Sequence, residues 1–213
     1  QRPPTGSITI NNGAAFTNRT QVTLGLSATD PDGAVVTMSF STDGRNWSPE
    51  EPYQTARSFN LPGGDGPKTI YVRYRDRAGN YSTPASAGIT LDTREPQISG
   101  VAWTQAAADA VDITWRTNEP TFGVVRYGIG ARNYAERSGD DRASFQGDGG
   151  SGYEHRVRIG RLVPGRNYYA VIEAVDRADN RSTSPEFQFG LQAADQRPPT
   201  GSITINNGAA FTN

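Results

Sequence analysis

The chain repeats its own beginning. Residues 1–18 (QRPPTGSITINNGAAFTN) recur letter for letter as residues 196–213, so the second copy begins 195 positions after the first. Divergent strands of related domains share only a pattern of apolar positions, whereas this copy also keeps every turn residue. The identity therefore predicts one period of a tandem array followed by the start of the next period. It also predicts that this chain has neighbouring identical repeats as partners.

Composition and charge narrow the class of protein. Of 213 residues 34% are hydrophobic, 24 are Gly and 14 are Pro, while Val, Ile, Thr and Tyr gather in short runs, which favours strands joined by tight turns. The net charge of −1 lacks the basic excess of a nucleic-acid binder. The absence of cysteine excludes disulfides, thiolate zinc sites and a cysteine nucleophile. No apolar run reaches the length of a membrane span. We expect an extracellular or cell-surface protein.

Alternating apolar positions in residues 1–92 predict a first sandwich. Val22, Leu24 and Leu26 alternate with polar or small residues, as a half-buried strand requires. Turn signals such as Asp43-Gly44 and residues 63–66 (GGDG) recur about every eight to twelve residues. Seven short strands in about ninety residues are typical of an immunoglobulin-like β-sandwich.

Residues 93–195 predict a second sandwich of the same kind. Val111, Ile113 and Trp115 alternate with polar residues, and residues 138–152 form the longest irregular stretch. The expected fold is all-β: two tandem antiparallel β-sandwiches, with residues 196–213 supplying the linker and first strand of the next repeat.

Short motifs carry two resemblances. Residues 162–168 (LVPGRNY) resemble the fibronectin type III signature, in which the tyrosine hydroxyl returns to nearby backbone. With residues 113–115 (ITW) and 118–120 (NEP), they are similar to the fibronectin-like module found ahead of purple acid phosphatases. That resemblance implies a module without catalytic residues, and the metal-binding domain that would follow it is missing from this sequence.

The first half resembles the bacterial Ig-like modules of large secreted and surface proteins. The resemblance is carried by residues 22–30 (VTLGLSATD), 40–47 (FSTDGRNW) and 76–80 (DRAGN). Such motifs specify a fold better than a function.

The two halves share a loop and a linker pattern. Residues 76–84 (DRAGNYSTP) align with residues 176–185 (DRADNRSTSP) if one residue is inserted before the proline. Residues 92–96 (DTREP) and 195–199 (DQRPP) share the pattern D-x-R-x-P, so the junction inside a period and the junction between periods are expected to be alike.

Acidic residues near these linkers suggest calcium. The loops that cluster at the entry end of a sandwich lie beside the preceding linker, and calcium takes roughly six to eight oxygen ligands. An alternative is that these side chains bond their own backbone in Asx-turns, and a second is that linker arginines pair with them. The calcium candidates are Asp30, Asp32, Asp76, Asn80, Asp92, Glu95, Glu119, Asp176 and Asp179.

Two other kinds of surface site are predicted. Four N-x-S/T sequons make Asn18, Asn46, Asn80 and Asn180 glycosylation candidates in a cell with the transferase. Aromatic residues in or near loops could stack on surface glycans or a protein partner, although Trp47 is expected rather to cap the core. These aromatic residues are Trp47, Tyr53, Tyr81, Tyr134 and Tyr153.

No constellation of residues predicts catalysis. His155, the single histidine, alternates with Val157 on a strand and is expected to be structural. Asp140, Asp141 and Asp148 lie in a Gly-rich stretch that would not hold paired carboxylates at a fixed separation. No cofactor is required by this interpretation, and calcium at the junctions is the one optional ion.

The favoured function is therefore a non-catalytic structural repeat of an extracellular filament, stalk or adhesin shaft. The alternative is a carbohydrate- or partner-binding accessory module of a secreted protein. Assembly could also proceed by donation of the strand that contains Ile203 and Ile205, although one continuous polypeptide is simpler.

Overall fold

The computed structural model describes residues 1–138 and 153–192. Within these ranges the regular structure consists of strands and one short 3-10 turn at Asn11–Gly13, so the all-β prediction is confirmed. No helix in the described ranges is long and apolar enough to cross a membrane. The predicted stretch around Asp140, Asp141 and Asp148, and the second copy with Ile203 and Ile205, lie outside the described residues.

Eight strands belong to the first half of the chain. They are β1 (Thr5–Ile10), β2 (Phe16–Thr17), β3 (Gln21–Thr29), β4 (Val35–Ser41), β5 (Glu51–Pro52), β6 (Ala56–Asn60), β7 (Gly66–Asp76) and β8 (Ala85–Leu91). One sheet has the order β1-β3-β6 and the other β2-β8-β7-β4-β5. All pairs are antiparallel except the short pair β2–β8.

Eight more strands belong to the second half. They are β9 (Ile98–Ala107), β10 (Ala110–Thr117), β11 (Phe122–Gly128), β12 (Glu136–Ser138), β13 (Tyr153–Ile159), β14 (Asn167–Val175), β15 (Arg181–Thr183) and β16 (Phe187–Gly190). One sheet has the order β13-β10-β9, and the other has β12-β11-β14-β15 with β16 also paired to β14.

Each half has its own hydrophobic core between its two sheets. In β3 the side chains of Val22, Leu24 and Leu26 are buried, because alternate residues of a strand point to opposite faces. They pack with residues of β7 and β8 from the facing sheet, such as Ile70. The predicted alternation in β10 is also present, with Val111, Ile113 and Trp115 fully buried in the second core.

The signature tyrosine of the second half behaves as predicted. Tyr168 is buried, and its hydroxyl accepts a hydrogen bond of 2.9 Å from the backbone N–H of Val163. This bond ties the turn that precedes β14 to the core.

The chain enters and leaves each half at opposite ends. Thr5 at the start of β1 pairs with Thr29 at the end of β3, whereas Leu91 at the end of β8 pairs with Gly66 at the start of the 11-residue strand β7. The second half has the same arrangement, since Ile98 pairs with Thr117, the last residue of β10. Modules of this kind joined in series extend along one direction.

Candidate functional site

The linker after β8 is bonded to the first half through Asp65. This residue lies in the glycine-rich turn just before β7. Its Oδ1 accepts hydrogen bonds from the backbone N–H of Thr93 at 3.0 Å and from the Thr93 hydroxyl at 2.9 Å. Its Oδ2 lies 3.3 Å from Arg94 Nε, an exposed pair of little energetic weight. The backbone of the linker is therefore fixed against the module that it leaves.

The same linker is bonded to the second half. Asn180 Nδ2 donates a 2.9 Å hydrogen bond to the carbonyl oxygen of Asp92. Further along, the backbone N–H of Gln97 donates to Asn118 Oδ1 at 2.6 Å, and the Asn118 N–H returns a bond of 3.3 Å to the Gln97 carbonyl. Because contacts hold the linker on both sides, this junction is a defined joint.

The loop between β14 and β15 positions Asn180. Asp176 Oδ1 accepts from the backbone N–H groups of Ala178 and Asn180 at 2.7 and 2.9 Å, and its Oδ2 accepts from Asn180 Nδ2 at 2.7 Å. Asp179 completes the turn in the left-handed region at φ 71°. Asp176 and Asn180 are both buried, so the asparagine amide is aimed at the linker by a rigid local network.

The first half contains the same loop between β7 and β8. Asn80 donates from its backbone N–H to Asp76 Oδ1 at 2.8 Å and from Nδ2 to Asp76 Oδ2 at 2.8 Å, with Gly79 at φ 95°. Burial works to raise the pKa of Asp76, but the hydrogen bonds from Asn80 and the loop backbone outweigh it and lower the pKa. The loop therefore keeps its carboxylate ionised and its asparagine oriented.

Three carboxyl groups converge at the junction. One oxygen from each of Asp92, Glu119 and Asp176 lies within 4.8 Å of the other two. Burial raises the pKa of Glu119, and the neighbouring charges of Asp92 and Asp176 raise it further. Three of the predicted calcium candidates are thus brought together as mutually repelling acids.

Local hydrogen bonds already occupy part of this cluster. Both Asp176 oxygens accept bonds within their own loop, and Asp92 Oδ1 accepts from the Arg94 N–H at 3.2 Å. These are the Asx-turns that the sequence offered as the alternative to a metal. The three oxygens that converge here, one from each carboxylate, also fall short of a calcium ion's usual six to eight. Calcium at this junction stays a prediction.

The remaining calcium candidates lie outside the cluster. Glu95 is exposed, and exposed Asp179 pairs with Arg181 at 2.6 Å. At the entry end of the first half, Asp32 Oδ2 accepts a 2.6 Å bond from the Arg2 N–H, and Asp30 Oδ1 accepts a 3.1 Å bond from the Asp32 N–H.

The four sequon asparagines differ in accessibility. Asn180 is only 9% exposed and its amide nitrogen donates two hydrogen bonds. Asn46 Nδ2 donates to Asp43 at 2.6 Å, and Asn80 Nδ2 donates within its loop. Asn18 is half-buried. Glycosylation stays a prediction for all four.

Most of the loop aromatics are engaged within the chain. Arg73 Cζ lies 4.5 Å from the ring centre of Trp47 and 4.3 Å from that of Tyr81, so one cation packs between the two rings. Tyr53 packs against the first core and its hydroxyl accepts from the Ala28 N–H.

The two other loop aromatics lie in the second half. The Tyr134 hydroxyl donates to Glu186, and Tyr153 is half-buried. With four of the five rings or hydroxyls engaged, nothing in this set favours a ligand platform.

His155 is a buried residue of the second half. Its ring stacks on Trp115 at 4.9 Å, and its Nε2 lies 3.0 Å from the Thr117 hydroxyl. The expectation of a structural histidine matches this packing.

Sequence reasoning missed the contacts that fix the linker. It identified the turn around Asp65 but gave its carboxylate no role, and it did not single out Thr93 or Asn118. The sequence does contain a signal for these contacts. Asp65 lies between glycines at the exit end of the sandwich, and Thr93 supplies a hydroxyl group in the linker that follows.

The fold and the bonded linker define a class: two β-sandwich modules of the immunoglobulin and fibronectin type III kind joined in tandem. Residues 96–190 match the family model of the purple acid phosphatase N-terminal domain, so the resemblance expected for the second half is confirmed. The matched model is that of an N-terminal module. A comparison with curated proteins finds no match.

A solved structure shows the same fold. The FN1–FN3 domains of chicken CNTN1 are 12% identical, with a TM-score of 0.54, over 89% of this chain and 66% of that one. The fibronectin(III)-like modules of Clostridium thermocellum CbhA are also 12% identical, over 92% of this chain and all of that one, with a TM-score of 0.49. At this identity the likeness concerns the fold alone.

Proposed function

We propose that this chain is one period of a non-catalytic, extracellular structural array: a filament, stalk or adhesin shaft built from alternating β-sandwich modules. The observation that carries the proposal is the repetition of residues 1–18 as residues 196–213. An array needs the chain to continue into an identical module, and this repetition supplies its first eighteen residues.

The junction inside the period supports a mechanical role. The linker backbone is held by Asp65 on one side and by Asn180 and Asn118 on the other. A flexible tether would need none of these bonds, and would allow neighbouring modules to swing freely. A held linker instead transmits the direction of one module to the next.

The position of the chain ends within each module supports extension. Each sandwich receives the chain at one end and releases it at the other. One pair of modules should therefore lengthen the array by roughly 70 to 90 Å, the combined length of two sandwiches with their end loops.

Electron microscopy of the full-length protein tests this proposal. A beaded rod with a repeat near one module pair is the expected result. A compact globule attached to a catalytic domain would overturn it.

A further inference from the structure

The internal junction reveals which surfaces meet when one module follows another. Asp65, in the turn before β7, lines the same cavity as Asn118 and Glu119, in the loop between β10 and β11. Arg94 of the linker also lines this cavity. A junction thus places the β6–β7 turn of one sandwich against the β10–β11 loop of the next.

The second sandwich has an equivalent turn at its own exit end. Arg166 immediately precedes β14, as Asp65 immediately precedes β7. The turn is fixed by the Val163–Tyr168 bond and by a 2.9 Å bond from the Gly165 N–H to the Leu191 carbonyl. Arg166 is exposed at the end of this built turn. The exit end of the period therefore presents a cation where the internal junction presents an acid.

The first sandwich has an equivalent loop at its entry end. The β3–β4 loop contains Asp30 and Asp32 and occupies the place that the β10–β11 loop has in the second sandwich. Asp32 accepts a bond from the linker backbone at Arg2, much as Asn118 accepts one from Gln97. The entry end of a period therefore presents two acids beside its linker.

We propose that consecutive periods dock through these two surfaces, with Arg166 of one period paired to the carboxylates of Asp30 and Asp32 in the next. The partner is the following copy of this chain, and the inference rests on the array proposed above. Its support is the continuity with the internal junction and the opposite charges of Arg166 and the two aspartates.

The same charges disfavour one first sandwich following another. A first sandwich followed by another first sandwich would place Asp65 against Asp30 and Asp32, which repel one another. At the internal junction, the turn that contains Asp65 meets a loop with one acid, Glu119, and the linker cation Arg94. At the junction between periods, the turn that ends at Arg166 would meet the loop that contains Asp30 and Asp32.

A two-period chain tests the docking. Because the protein has no cysteine, Thr104→Cys in the first period and Thr69→Cys in the second give one spin-label pair across the new junction. Both threonines are exposed. A docked junction gives one narrow distance distribution, and R166A in the first period should lose it. R137A, an exposed arginine on β12, is the matched control and should keep it.

A double-mutant cycle with the variant D30A/D32A in the second period separates this charge pairing from other effects. R166A should not broaden the distance distribution further once both aspartates are gone. An R166A chain that keeps the narrow distribution would overturn the docking proposal. Small-angle scattering on the same samples tests the array proposal independently of the docking proposal. An extended chain with a broad distance distribution would contradict the docking and support the array. A compact chain would contradict both.

Discussion

Asn180 shows how one side chain connects the folding of a module to the direction of its linker. It contributes two donors from one amide: one bond closes the loop with Asp176, and the other reaches the Asp92 carbonyl. Asn80 makes the equivalent loop bonds to Asp76 in the first half. Comparison of Asn180 with Asn80 therefore distinguishes the bonds that close a loop within one module from the bond that joins two modules.

Replacing Asn180 with alanine in a single-period chain should destabilise the second module by about 1–3 kcal/mol, because the buried Asp176 carboxylate loses a donor and the Asp92 carbonyl loses its partner. N80A is the matched control, since it removes only the bond from Nδ2 to Asp76 Oδ2 within the loop. Chemical denaturation measures stability, and amide exchange of the linker measures the joint. Faster exchange at Thr93 in N180A but not in N80A is expected; equal exchange in both would show that the Asp92 bond does not hold the linker.

Glu119 should make the junction sensitive to pH. Its native pKa is raised above the ordinary 4.5 by burial and by the charges of Asp92 and Asp176, so its ionised form opposes folding. The cost is fully present above the native pKa and absent below pH 4.5, where both folded and unfolded states are protonated.

E119Q should therefore be more stable than the wild type at pH 7, by up to about 1 kcal/mol because the site is partly open to solvent. The difference should shrink as pH falls toward 4. Unfolding curves from pH 4 to pH 8 measure it. A difference that stays constant across this range would mean that the carboxylate charge is not its cause.

Calcium would reverse the effect of the same charge. An ion held by Asp92, Glu119 and Asp176 stabilises the folded chain in proportion to its binding, so millimolar calcium should raise the midpoint of thermal unfolding in the wild type and not in E119Q. Magnesium, which demands a tighter octahedral site, is the control ion. Identical melting with calcium and with chelator would contradict the predicted site.

The turns and loops at the ends of the strands decide the geometry of the joints. The β13–β14 turn, which ends at Arg166, is held to the core by the Tyr168 hydroxyl and closes against the last strand through Gly165. The β14–β15 loop depends on the Asp176–Asn180 network. Both elements are short, and each is fixed to its own module by hydrogen bonds.

Removing the Tyr168 hydroxyl should loosen the turn that presents Arg166. Y168F leaves the backbone N–H of Val163 without its acceptor, at a cost of about 1–2 kcal/mol. Y169F is the matched control, because the half-buried Tyr169 hydroxyl makes no hydrogen bond that the structure describes. Denaturant unfolding compares the two variants. Equal stability of Y168F and the wild type would show that this bond does not stabilise the turn.

Strand positions could be predicted from the sequence because each strand buries every second residue. The alternation of Val111, Ile113 and Trp115 is fixed by local pattern, and so is the turn signature around Tyr168. The D-R-A-x-N loops were also aligned correctly over their first five residues.

The residues that follow these two loops were aligned wrongly from the sequence. Ser82 was matched with Ser182, but the residue that plays its part is Ser184. Ser82 Oγ accepts from the Tyr74 N–H and Ser184 Oγ from the Ile172 N–H. The longer β14–β15 hairpin shifts the register by two residues, and a run of similar polar letters does not reveal hairpin length.

The joint itself was predicted only in part. Proximity of Asp92, Glu119 and Asp176 followed from the rule that entry-end loops lie beside the preceding linker. The roles of Asp65 and Asn118 did not follow, because each depends on how two modules meet in space. Contacts between modules leave no regular spacing of apolar residues in the sequence, so they could not be predicted from it.

At the scale of the whole molecule, the proposed array would contain two kinds of joint in alternation, unlike a string of modules with identical joints. One joint is described by the contacts of Asp65, Asn118 and Asn180. The other is proposed to use Arg166 and the β3–β4 loop of the next period. Both would hold the linker, so stiffness should persist along the array.

Small-angle scattering on chains of one, two and four periods tests this claim most directly. Stiff joints predict a maximum dimension that grows in proportion to the number of periods, by roughly 70 to 90 Å for each. Free joints would instead give growth close to the square root of that number. Linear growth supports the extended array, and square-root growth or a compact particle would contradict it.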